Sequence, residues 1–163
     1  MAKAGENEKI FEDLCNSFND NVDKKLLSGK IVFEDADKNS VSVDNSIIVD
    51  DKIILIEIDS ANEAKLLAGQ YTLLNLLKDK PKIQGFNQEK KELIFFVIHF
   101  YVDRQKGRNK PYNSDRTKKN LKLIRNVLSN KGLRYGCIHF NDIENIKSKN
   151  DLLRYIESKI EKT

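Results

Sequence analysis

This 163-residue chain has little cysteine and no long apolar stretch. Its two cysteines, Cys15 and Cys137, stand far apart with no CxxC spacing. That argues against a disulfide framework or a zinc site and leaves both as small buried apolar side chains. No apolar run approaches the roughly 20 residues of a membrane-spanning helix, and Met1-Ala2-Lys3-Ala4-Gly5-Glu6 lacks the apolar core of a signal peptide. A cytoplasmic protein with no membrane partner is therefore expected. Gly-rich phosphate loops, internal repeats and low-complexity segments are missing too. The only histidines, His99 and His139, have no spacing that joins them to a Ser or Cys nucleophile, so both read as structural.

What is present is charge, distributed unevenly. Hydrophobic residues make up 39% and charged residues 33%, a balance that excludes a largely disordered chain and fits one domain over residues 1–163. Between Arg104 and Arg134 stand eleven basic residues and one acid, Asp115, a local balance of +10. The net charge of +4 leaves −6 to the remainder. A basic block on an otherwise acidic protein is the electrostatic footprint of a phosphate-backbone binder. Arg104, Lys106, Arg108 and Lys110 fall in a turn-rich stretch read as a surface loop over 102–113. Arg116, Lys118, Lys119, Lys122 and Arg125 crowd one side of a helix whose Leu121, Ile124, Val127 and Leu128 are expected to face the core. A solvated helix face with a charged loop is the plainer alternative. Tyr101 and Tyr112, within or beside this segment, could stack on bases or simply pack.

Apolar spacing gives the order of elements. Ile10, Phe11, Leu14, Cys15 and Phe18 mark a helix from Glu6 to about Asn21, with Glu8 and Glu12 one turn apart beside the stripe. A short strand over Lys30–Glu34 precedes a turn, and Ser40–Val49 alternates, Val41, Val43 and Ile47 one way and Ser42, Asp44 and Ser46 the other. Asp50-Asp51 suits a hairpin turn into Lys52–Ile58, a run apolar enough to be buried on both faces. Ser60 or Asn62 can cap a long helix to about Asp79. Strands over Glu92–Tyr101 and Tyr135–Phe140 follow, separated by the basic helix, which Ser114 or Asp115 can cap, and an amphipathic helix over Asp142–Lys162 closes the chain. The expected fold is α/β: a central mixed sheet of about five strands, an antiparallel meander followed by crossover strands, flanked by helices on both faces.

Asp44 and Glu57 stand on these apolar strands, and Asp59 lies two residues beyond Glu57, hence on the same side. Desolvating ionised carboxylates costs several kcal/mol unless they are paired or bound to metal, so acids here need a reason. Carboxylates converging from adjacent strands make a hard, oxygen-only site suited to magnesium, with manganese as the alternative. Asp50 and Asp51 are ligands in principle, but a turn position points to solvent.

The stretch from Asp44 to Glu57 resembles the core of the PD-(D/E)XK nuclease superfamily, which has a restriction-endonuclease-like fold. There an Asp early in one strand is followed about a dozen residues on by Glu-x-Lys at the end of the next. Asp44 and Glu57 match the two acids. A Glu on the first helix after a Gly matches Gly5 and Glu12, less closely Glu8, and Gln70-Tyr71-Thr72-Leu73-Leu74 is similar to the Gln-aromatic run on the helix that follows. The similarity spans residues 5 to about 77. It implies a magnesium-dependent DNA endonuclease, restriction-type or junction-resolving, with the metal on Asp44, Glu57 and the Ile58 carbonyl. In that reading Glu12 and Gln70 support metal or substrate, the basic loop and helix hold DNA, and a second copy or a separate recognition subunit is a further expected partner.

One departure matters. Asp59 occupies the place of the motif lysine. Either Lys65 on the following helix replaces that lysine, with Asp59 as a ligand or water-positioning group, or the site is impaired. The first is preferred because a decayed site would have little reason to keep three acids together. A non-catalytic DNA-binding module on the same fold is the main alternative, and a protein-interaction domain the other.

Overall fold

In the computed structural model, residues 4–18, 25–61, 63–82, 91–103, 110–111, 115–129 and 131–162 are described. Helix α1 (Ala4–Asn16) leads into strands β1 (Ile31–Glu34), β2 (Ser40–Val43), β3 (Asn45–Val49) and β4 (Lys52–Asp59). Then come α2 (Ala64–Leu77), β5 (Glu92–His99), the two-residue strands β6 (Val102–Asp103) and β7 (Lys110–Pro111), α3 (Asp115–Val127), β8 (Arg134–His139) and α4 (Lys149–Ser158). The helices and the strands β5 and β8 follow in the expected order, but the expected three-strand meander is four strands in two separate hairpins, β1 with β2 and β3 with β4. Among the described residues no helix is long and apolar enough to cross a membrane.

The main sheet has four strands rather than about five, in the order β3-β4-β5-β8. β4 pairs antiparallel with β3 and parallel with β5, and β8 pairs parallel with β5. Val49 opposite Lys52 closes the hairpin over Asp50-Asp51, where Asp50 has a φ of 39°. The turn therefore lies at the end of β4 opposite to Glu57 and Asp59. β1 pairs with β2 in a separate two-stranded sheet, and β6 pairs with β7 in another.

The stretch 40–49, expected as one alternating strand, is two strands bent at Asp44. Val41 and Val43 are buried with Ile53, Leu55, Phe95 and Val97 under Leu67, Tyr71 and Leu74 of α2 and Leu121 of α3. Ile47 is buried in the opposite layer, with Ile54, Ile56, Phe96 and Ile98 under Phe11 and Cys15 of α1 and Leu152 and Ile156 of α4. The bend hands the chain from one core to the other. Helices cover both faces of the sheet, and each layer is sealed by side chains from alternate positions of the same strands.

Several boundaries moved for identifiable reasons. The closing helix is α4 alone: His139 Nδ1 accepts from the Asn141 N–H while the Asp142 carboxylate accepts from the His139 N–H at 3.2 Å, fixing a short 3-10 turn over Phe140–Asp142. Ser148 then caps α4 by accepting from the Asp151 N–H at 3.1 Å. Ser60 does not cap α2, whose N-cap residue is Glu63; its hydroxyl accepts from Asn7 instead. Val127 is 77% exposed rather than part of the core, since it lies in the last turn of α3, beyond the stretch that Leu121 anchors. Residues 19–21 of the first helix as expected, the caps Asn62 and Ser114, and Tyr112 lie outside the described residues.

Candidate functional site

The site is the fork at Asp44. β3 begins at Asn45 opposite Ile56, so the ladder between β3 and β4 stops one residue short of Asp44. Beyond that point the Asp44 side chain takes over the pairing: its Oδ2 accepts from the Ile58 N–H at 2.8 Å. In an antiparallel pair, a residue's N–H and C=O point to the same side. The Ile58 carbonyl therefore opens toward Asp44 as well. Glu57, on the α2 face of β4, is flanked by the Asp44 backbone and the Gln70 side chain, both of which favour its charged form. Gln70 Nε2 also donates to the Ser42 carbonyl at 2.9 Å, tying α2 to the strand just before the bend.

The electrostatics run against ionisation. Burial, then the neighbouring Asp44 carboxylate, pushes the Glu57 pKa up to about 8. One of its oxygens, Oε2, is buried with no hydrogen-bond partner among the described residues. Asp44 is raised by burial, against the opposing pull of the Ile58 N–H and Lys30. Glu8, on the first half of α1, is raised by burial, by Asp44 and by Glu12, and lowered by Lys30. Three carboxylates thus feel one another. Between the two candidates on the first helix, Glu8 is the one beside Asp44; Glu12 is exposed at the rim, accepting from Asn45 Nδ2 at 3.3 Å.

Asp59 is on the same face of β4 as Glu57 but is engaged elsewhere. Its Oδ2 lies 2.7 Å from His99 Nδ1 in a buried pair, the two residues being direct partners in the β4–β5 register. Its other oxygen accepts from the Ala61 N–H at 3.3 Å. The anomalous acid and the first histidine, unconnected in the sequence, form one unit. His139 is structural as expected: Nδ1 accepts from Asn141, so Nε2 carries the proton and donates to the Tyr101 carbonyl at 2.9 Å. Cys15 and Cys137 are buried thiols, each pushed up to about 12 chiefly by burial.

Lys65 has no ion pair with the acids of the cluster among the described residues. It is exposed on the first turn of α2 and lines a groove of about 340 Å³ with Glu63, Ala64, Leu66 and Arg116. Of the basic helix, Arg116, Lys119 and Lys122 are exposed, while Lys118 and Arg125 are half-buried, Arg125 Nε reaching the Gly132 carbonyl at 3.4 Å. Arg104, Lys106 and Arg108 lie outside the described residues, as does the side chain of Lys110. The residues the sequence did not single out are Lys30 and Asn45. Asn45 Oδ1 accepts from the Gly29 N–H at 3.0 Å and fixes the start of β3 against the chain before β1.

Among the described residues no cluster of three or more His, Cys, Asp and Glu side chains is arranged to hold a metal ion. The oxygens that do converge are those of Asp44 and Glu57, with the Ile58 carbonyl beside them. An oxygen-only set with one buried carboxylate oxygen unpartnered fits a hard divalent cation that takes its remaining ligands from water. Compared with family models, curated proteins and solved structures, the chain matches none.

Proposed function

We propose that this protein is a magnesium-dependent DNA endonuclease on a restriction-endonuclease-like, PD-(D/E)XK frame. The observation that carries the reading is the Glu57 carboxylate, half-buried beside Asp44 with one oxygen unpartnered among the described residues. A protein interior tolerates this arrangement poorly without a cation to complete it. The first helix, the antiparallel β3–β4 hairpin, the crossover helix and the parallel strand beyond it support the frame.

Asp44, Glu57 and the Ile58 carbonyl would hold Mg2+, or Mn2+ in its place. When bound, such an ion supplies positive charge to a phosphodiester oxygen and lowers the pKa of a bound water. The Ile58 N–H keeps Asp44 oriented, and Gln70 locks Glu57 against α2. Glu8 adds negative charge at the mouth of the site. In the hydrolysis, the water oxygen bonds to phosphorus as one P–O ester bond breaks. A water proton passes to solvent and the departing oxygen takes one up. Lys65 and Arg116 in their groove, with Lys119 and Lys122 on α3, would grip backbone phosphates, so binding should weaken steeply with salt.

The second reading, a non-catalytic DNA-binding module on the same frame, is favoured by Asp59 standing in the place of the motif lysine, paired with His99. Nicking of supercoiled plasmid with and without magnesium, beside a gel shift on the same DNA, separates the two. Magnesium-dependent nicking that disappears in Glu57→Ala supports the nuclease. Binding without cleavage supports the module, and a Glu57→Ala protein that nicks as fast as wild type would sink the metal site.

A further inference from the structure

The site as described has acids from α1, the bend and β4 but no catalytic cation from the motif position, since Asp59 stands there and is paired with His99. The sheet geometry brings another lysine to the fork. Ile31 pairs with Val43 in the β1–β2 register, and one step earlier the chain is still held alongside. The Gly29 N–H donates to Asn45 Oδ1 at 3.0 Å, the Gly29 carbonyl accepts from Ser46 Oγ at 2.7 Å, and the Ser28 N–H donates to the Ser46 carbonyl at 2.8 Å. Gly29, with a φ of 92°, makes the turn that allows this. Lys30, between Gly29 and Ile31, is thereby fixed across from Asp44, between Val43 and Asn45. Asp44 stands at the bend, where its carboxylate is felt both by Glu57 on the α2 face and by Glu8 of α1, so Lys30 across from it comes to the point where the two sides meet. Residues opposite each other on one face of an antiparallel pair have Cβ atoms about 5 Å apart. Lys30 is exposed and its amine makes no ion pair among the described residues, yet its charge is felt by both Asp44 and Glu8.

We propose that Lys30, entering from the strand before the meander's bend, is the working lysine of the Asp44–Glu57 site, in the role that the sequence motif would give to residue 59. The inference rests on the nuclease reading. The Lys30 ammonium donates hydrogen bonds to the attacking water and to a non-bridging phosphate oxygen. It keeps its proton throughout; the water's proton leaves to solvent. Lys65 is then a phosphate-gripping residue, not the relocated lysine.

The test compares Lys30→Gln with Lys65→Gln and, as a control for charge loss alone, Lys38→Gln, whose amine sits 3.4 Å from Glu34 on the β1–β2 turn. All three sites are exposed, and unchanged thermal midpoints show that the variants fold. Plasmid nicking in magnesium is measured with DNA affinity. Lys30→Gln should lose about 100-fold or more in rate at saturating DNA, in the range of a lost transition-state donor, with affinity nearly unchanged. Lys65→Gln should chiefly weaken affinity, and Lys38→Gln should behave as wild type. A Lys65→Gln protein that loses rate while Lys30→Gln keeps it overturns the proposal. A second arm measures Mn2+ affinity without DNA: losing a like charge beside Asp44 should tighten binding about fivefold in Lys30→Gln and leave Lys38→Gln unchanged. If the wild type fails to nick DNA, the nuclease reading falls and this arm decides Lys30 separately. Tighter binding supports its place at the acidic cluster, and affinity equal to wild type, or no binding in either, overturns it.

Discussion

Replacing Glu57 with Gln should make the metal-free protein more stable, by an amount that grows with pH. In the folded protein the carboxyl has a pKa of about 8, against 4.5 when unperturbed. Below about pH 4.5 both states hold the proton and the substitution changes little. Between there and pH 8 the folded state keeps a proton that the unfolded chain releases, so wild-type stability falls as pH rises, and the full penalty is present above the folded pKa. A separation of about 3.5 units at 1.36 kcal/mol per unit gives an upper figure of about 5 kcal/mol above pH 8 and about 3 kcal/mol at pH 7. Glu57 retains some solvent contact, and screening reduces the gain to about 2–3 kcal/mol at pH 8. For a chain of this size that raises Tm by about 5–10 °C. Thermal unfolding of both proteins in EDTA at pH 5 and pH 8 reads the effect directly. A Glu57→Gln protein no more stable than wild type at pH 8, or stabilised equally at the two pH values, refutes the reasoning that the site holds an uncompensated acid.

Asp59→Ala should have the opposite sign, costing about 3 kcal/mol or more by urea unfolding, because it strips the carboxylate from the buried His99 pair. Gly136→Ala should cost about 1–3 kcal/mol: a Cβ there would stand 2.5 Å from the Phe96 ring and 2.8 Å from the Lys159 carbonyl, where the chain after α4 closes on β8. Circular dichroism melts against wild type measure it. Replacing Arg116, Lys119 and Lys122 together with Gln should flatten the slope of log affinity for DNA against log salt by up to about 3, read by fluorescence anisotropy across a salt series. An unchanged slope would remove α3 from the proposed DNA-binding surface.

Element order was legible because period and length agree in each segment: Leu67, Tyr71, Leu74 and Leu77 can only be one face of a helix, and residues 53–58 are too apolar for anything but a covered strand. The bend was not. Val41, Val43 and Ile47 satisfy a straight alternation perfectly well, and the inversion at Asp44 depends on the Ile58 N–H, fourteen residues away, and on Asn45 bonding to Gly29. Within the site, Asp44 and Glu57 stood out as acids on apolar strands, and Gln70 through its spacing on α2. Asp59 could not be separated from Glu57 by periodicity, since both face α2; only the β4–β5 register brings His99 to it, forty residues on. Glu8 and Glu12 are equivalent by helical period, and only the packing of α1 separates them. Lys30 sits just ahead of a short strand with no local signal, although Gly29 before it marks a backbone turn.

The bend at Asp44 also determines how the sheet ends. β3 is one of its two outer strands, and an outer strand left straight and apolar is a template on which another chain can add. A continuous strand from Ser40 to Val49 would offer such a rail along its whole length. Because the chain swings into β2 at Asp44, and residues 28 and 29 bond to Ser46 and Asn45, the uncovered part among the described residues shrinks to Ile47–Val49, with Ile48 42% exposed. Breaking the strand for the sake of an acid leaves an edge too short for a neighbour to grow on. Substitutions that straighten it, Asp44→Val foremost, should therefore surface as aggregation before they surface as unfolding.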